Sequence, residues 1–136
     1  MVHLALVAAY AGFQWTVTAL VYPQFTRVPP DAFPAYEHAH QRRITRVVAP
    51  LFLGQAVTTL WLLVHRPPGT SLGALLAGAV CFVVVLQLTA LGAVPQHRRL
   101  DRGWDAVVHR RLVRIDIVRA AVATAGVAAA LWLLLS

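Results

Sequence analysis

Two short stretches of this chain, near residues 22–46 and 95–119, hold nearly everything in it that could do chemistry. They contain all five acids (Asp31, Glu37, Asp101, Asp105 and Asp116), eleven of the twelve arginines and four of the six histidines. Asp105, His109 and Asp116 follow one another at helical spacing, so a carboxylate beside His109 would orient its imidazole and raise its basicity. Arg119, three residues after Asp116, is the partner that a carboxylate at a membrane edge needs, and Arg114 is close. A solvated ion-pair network at the start of a helix is the competing reading of this stripe. Tyr36, His40 and Arg43 share another helical face. His38 is turned about 200° from His40, so His-x-His does not present two ligands from one helix. A metal held by His38 or His40 with His97, His109 and Glu37, iron or copper, stays open as an alternative to a site needing no cofactor.

The elements that position these groups are membrane helices. Of the 136 residues 59% are hydrophobic and only 12% are charged, against about a quarter charged in a soluble domain. Four apolar stretches, residues 4–21, 47–64, 71–94 and 115–135, are each long enough to cross a bilayer core of about 30 Å. The expected fold is an all-α membrane protein, a four-transmembrane-helix bundle forming one domain over 1–136. Helices 2 and 4 should extend on the cytoplasmic side. Asp31 is read as the cap of helix 2, which then starts about 24 Å before the bilayer. Pro50 should kink helix 2, Pro95 should end helix 3, and helix 4 should start near Trp104. No cleaved signal peptide is expected, and the single Cys81 excludes an internal disulfide and CxxC redox chemistry.

The net charge of +7 comes from twelve arginines and no lysine. Only Arg66 lies in the second connection; the positive-inside rule therefore makes the opposite, arginine-rich side cytoplasmic and puts both termini outside a cell membrane. Topology and anionic-lipid contact account for the charge, and no nucleic-acid module accompanies it. Trp61 and Trp132 at one boundary and Trp104 at the other read as interface anchors, and His3 and His65 as interfacial histidines. Gln14, Gln55, Gln87 and Thr124 all lie about 10–14 Å inside the cytoplasmic boundary, one from each helix. They are either interhelical hydrogen-bonding glue or the polar floor of a pocket, with Trp15 and Phe25 as aromatic walls.

Val94-Pro-Gln-His-Arg-Arg-Leu100 is similar to a Val-Pro-x-Asn-x-x-Leu segment, and Arg114-Ile-Asp-Ile-Val-Arg119 to an Arg-x-Asn-x-x-Arg motif, of the anthrone-oxygenase-like small four-span membrane proteins. His97 and Asp116 stand where that family has asparagine. The overall layout, Pro23, the Arg-rich start of the second span and Pro50 also resemble it. The resemblance implies oxygenation of an activated carbon in a lipophilic aromatic substrate by dioxygen. His40 or His109 would then be the base and Asp105 or Asp116 its orienter, while Arg43, Arg114 and Arg119 would hold the oxyanion. Gln14, Trp15, Gln55, Gln87, Tyr36 and His97 would line the pocket. Gln41-Arg-Arg-Ile-Thr-Arg46 resembles, more faintly, small membrane proteins that oxidise porphyrinogen, which keeps a His-ligated metal or porphyrin-handling oxidoreductase among the alternatives. A non-enzymatic subunit of a membrane complex, a homo-oligomer or a lipid or small-ligand binder is the competing class.

Overall fold

The computed structural model describes all of Met1–Ser136. It is built from four long helices: α1 (Val2–Arg27), α2 (Phe33–Val64), α3 (Leu72–Leu100) and α4 (Ala106–Leu135). Each is long and apolar enough to cross a membrane. The chain is a multi-pass membrane protein folded as a four-helix bundle. α4 packs along both α3 and α1, and α2 leans mainly on α1. Leu53, Leu60, Leu91 and Leu135 are among the apolar side chains left on the outside, where lipid is their solvent. Trp61 and Trp132 are half exposed.

α2 has 32 residues and is therefore about 48 Å long, well beyond the hydrocarbon core. The excess lies at its N-terminal, arginine-rich end. The helix runs through Pro50 without a break. It starts one residue later than expected: Ala32 is the N-cap and makes no side-chain capping bond, while Asp31 is exposed in the preceding turn. Pro34 sits in the first turn, where its missing N–H costs nothing. Asp105 is the true cap of α4, accepting from the N–H groups of Val107 (2.7 Å) and Val108 (3.1 Å). A cap lies outside the helical repeat, so Asp105 does not share a stripe with His109 and does not orient it.

Pro95 does not end α3. Residues Leu88–Ala93 form a π-helical turn, with the Val94 N–H bonded to the Thr89 carbonyl, and the helix continues to Leu100. The same device recurs in α1. Val17–Val21 is π-helical, the Tyr22 N–H bonds to the Val17 carbonyl, and Pro23 follows. A proline in a regular α-helix collides with the carbonyl four residues back, and a wider turn just before it relieves that conflict. Both wide turns lie at the arginine-rich end, so α1 and α3 both persist past their prolines. They carry Tyr22 and His97 into the bundle there.

Helices approach closely both where α2 meets α1, with Gly54 against Leu6, and where α4 meets α3. A side chain at Gly92, within the π turn of α3, would approach Ile115 to 3.1 Å. In α3, Gly73 and Gly78 face Trp132 and Ala129 of α4 and Ala74 is buried, whereas Ala121 and Ala125 are exposed and Gly69 belongs to the α2–α3 turn with φ +84°. Phe25, Phe33, Leu100 and Leu112 are fully buried and form the apolar core of the arginine-rich end.

Candidate functional site

Two buried polar networks meet in the arginine-rich half of the bundle. The first is built on Asp116, fully buried in α4. Gln14 Nε2 donates to its Oδ1, and the Thr18 hydroxyl donates to Oδ2 at 2.6 Å. Arg119 donates from Nη1 to Oδ1 at 3.3 Å and from Nη2 to the Tyr10 hydroxyl at 3.3 Å. Tyr10 in turn donates to Gln14 Oε1 at 2.9 Å. A buried carboxylate survives in a low-dielectric interior only when paired and hydrogen-bonded, and here a guanidinium, an amide and a hydroxyl all converge on one.

The second network runs from α2 across to α1. Glu37 is fully buried, and its Oε1 lies 2.5 Å from His97 Nδ1 and 3.2 Å from Gln41 Nε2, which donates to it. The opposite ring nitrogen, His97 Nε2, lies 2.9 Å from the Tyr22 hydroxyl. A proton on Nδ1 donates to the carboxylate, which leaves Nε2 as acceptor for the phenol. Glu37, His97 and Tyr22 thus form a carboxylate–imidazole–phenol chain. Glu37 holds the ring, and Tyr22 is its far end.

Between these networks lies a cavity of about 140 Å³. Phe13, Val17, Ile44, Val48, Ala93 and Val94 give it apolar walls, while Gln14, Tyr22, Gln41, His97 and Arg119 supply polar groups. Arg119 Nε is buried and has no protein partner. A second, more open cavity of about 250 Å³ lies beside it, lined by Val21, Tyr36, Ala39, His40, Arg43, Ile44 and Val47. Ile44 lines both, and the His40 ring stacks on His97 with centroids 5.7 Å apart.

The residues singled out from the sequence are distributed as follows. Gln14, His97 and Arg119 line the inner cavity, and Asp116 stands behind two of them. Tyr36, His40 and Arg43 line the outer one. His109 lies in neither cavity: its Nε2 is 2.8 Å from the Tyr22 carbonyl oxygen, and its ring packs against Trp104. Arg114 is exposed.

The four-residue polar layer is not one floor. Gln87 faces outwards, and Gln55 donates to the Leu51 carbonyl beside a small crevice nearer the other end. Thr124 accepts from Trp15 Nε1 at 2.9 Å on the outer surface. Trp15 is half exposed and Phe25 is packed in the core; the aromatic walls are Phe13 and Tyr22 instead. Nor do the four histidines gather round a metal. His38 is exposed with its Nδ1 4.0 Å from Asp101, and no three His, Cys, Asp or Glu side chains come together in a geometry that could hold an ion.

Several participants escaped the sequence reading as site residues: Tyr10, Thr18, Tyr22, Gln41 and the role of Glu37 as support for His97. Glu37 is the only glutamate in the chain, and it sits one helical turn before Gln41, a spacing that could have marked it. Nothing local marks Tyr22.

No protein-family model, curated protein or solved structure matches the chain.

Proposed function

We propose that this protein binds a lipophilic aromatic molecule in the inner cavity and removes a proton from it, as the first step of an oxygenation by dioxygen. The observation that carries the reading is the pairing, in one mostly apolar cavity, of a carboxylate-backed imidazole with a buried guanidinium. A general base requires an imidazole oriented by a partner, and a developing oxyanion requires a preorganised cation in a water-poor site. His97 and Arg119 meet those two requirements.

Tyr22 joins substrate to base. As its oxygen takes the substrate's proton, its own hydroxyl proton passes to His97 Nε2, and Glu37 stabilises the imidazolium. The substrate oxygen, now negative, is held by Arg119, whose own charge is balanced by Asp116. The electron-rich ring carbon then bonds to dioxygen, and the peroxide anion so formed takes the proton back from His97 through Tyr22. The resulting hydroperoxide loses water to leave a carbonyl, so one dioxygen is consumed and one water released for each C–H carbon converted to C=O. Substrate and dioxygen both dissolve in the bilayer. The arginine-rich end lies at the cytoplasmic face of the cell membrane, both termini lie outside, and the site is reached from the inner leaflet.

Dioxygen uptake by the purified protein in lipid nanodiscs, supplied with anthrone or an alkylphenol, tests the reading. Uptake that is stoichiometric with quinone formation and lost in His97→Gln supports it. Saturable binding of the same compounds without any uptake would assign the cavity to a binding protein, the competing class.

A further inference from the structure

We infer that the inner and outer cavities together accommodate one amphiphile: a phenol with a single ring, seated in the inner cavity, whose long apolar tail leaves past Ile44 into the membrane. This specifies the substrate class of the site proposed above and rests on that reading.

Size limits the head. The inner cavity measures about 140 Å³, and a closed apolar cavity of about 150 Å³ in a protein core accommodates one benzene ring. Three fused rings would have to displace the wall formed by Ile44 and the stacked His40–His97 pair. The polar groups limit its chemistry. Arg119 Nε–H is buried and has no acceptor in the protein, and a buried donor left unpaired is costly. A ligand oxygen at that end of the cavity satisfies it. Elsewhere the lining is apolar but for the Gln41 amide and the Thr45 and Thr89 hydroxyls, whose protons are already given to the Gln41 and Val85 carbonyls, so no second charged group faces the ligand.

The outer cavity supplies the path for a tail. Val21, Ala39, Ile44 and Val47 form an apolar channel wall, and Val47 and Tyr36 are exposed at its rim. That rim belongs to α2, whose span is the least buried of the four. Tyr36, His40 and Arg43 give the vestibule a polar edge at the level where headgroups begin.

The test uses the full chain in nanodiscs and three probes: meta-pentadecylphenol, pentadecylbenzene and anthrol. The alkylphenol should bind at least about ten-fold more tightly than the alkylbenzene, the margin expected of a hydrogen bond to a charged donor. Anthrol should compete poorly with it. Ile44→Trp, which fills the passage, should weaken alkylphenol binding by about ten-fold or more. On the unaltered protein, a meta-alkylphenol with a diazirine at the tail end should photolabel Val21, Ala39 or Val47, a result independent of whether the tryptophan variant folds. Anthrol competing as well as the alkylphenol, or labelling scattered away from the vestibule, overturns the single-ring and tail assignment and leaves the proposed function standing. If neither phenol binds more tightly than pentadecylbenzene, both fall.

Discussion

Glu37 Oε1 lies 2.5 Å from His97 Nδ1, although 60 residues separate them in the chain. The contact joins the start of α2 to the part of α3 beyond Pro95. It exists because each helix overruns the span that its apolar residues define. With the opposite ring nitrogen on Tyr22, it fixes the orientation of the His97 imidazole at the wall of a cavity.

His97→Gln should lower kcat by roughly a hundred- to ten-thousand-fold, the usual worth of a positioned general base. Glu37→Gln should lower kcat by a smaller factor, roughly ten- to a hundred-fold, with KM little changed, because Glu37 orients the ring without lining the cavity. Equal loss in KM and kcat for Glu37→Gln would mean that it shapes the cavity instead. Steady-state dioxygen uptake gives both parameters.

Asp116→Ala leaves the Arg119 charge buried beside Tyr10 and should cost about 3–5 kcal/mol of stability. Removing both charges together, in Asp116→Ala with Arg119→Leu, should cost less than the single change, since replacing a whole buried pair is often nearly neutral. Thermal unfolding in detergent, followed by circular dichroism, decides between this and simple additivity.

Gly92→Leu should destabilise the bundle by about 1–3 kcal/mol, because even a Cβ there approaches Ile115 to 3.1 Å. The same unfolding assay applies, and an unchanged midpoint would mean that α3 and α4 can separate freely at the π turn.

The Asp105 cap should give the start of α4 a pH dependence. Its bonds from the Val108 and Val107 N–H groups hold the carboxyl below the ordinary aspartate range. A carboxyl depressed in the folded state contributes stability that is fully present above its unfolded pKa, near 4, and is lost as pH falls through the folded value. The protection of the Val107 and Val108 amides, their exchange measured against the intrinsic rate at each pH, should therefore fall in acid, and in Asp105→Asn that fall should disappear while the cap persists.

How far the sequence reveals this site depends on the range of each interaction. The four spans were legible because a bilayer demands long apolar runs, and Asp116–Arg119 because partners three apart on a helix must meet. The shared depth expected of Gln14, Gln55, Gln87 and Thr124 gave a height along each helix but not a direction. Counting residues inward fixes distance along an axis, whereas facing depends on how each helix is rotated, and Gln87 is turned outwards. The π turns leave no mark in hydropathy, yet they let α1 and α3 run past Pro23 and Pro95. Without that continuation, no local pattern links His97 to Glu37 or Tyr22. The stripe from Asp105 to His109 failed for the opposite reason: a residue that caps a helix is not part of its repeat.

The most direct test of proton removal in this cavity is the visible spectrum of a bound alkyl-nitrophenol, whose phenolate and phenol absorb at different wavelengths. It is recorded in nanodiscs at a pH below the free dye's own pKa. The native protein should hold the dye as phenolate, with His97→Gln holding it as the neutral phenol. A native protein that binds the dye in its neutral form would contradict the account.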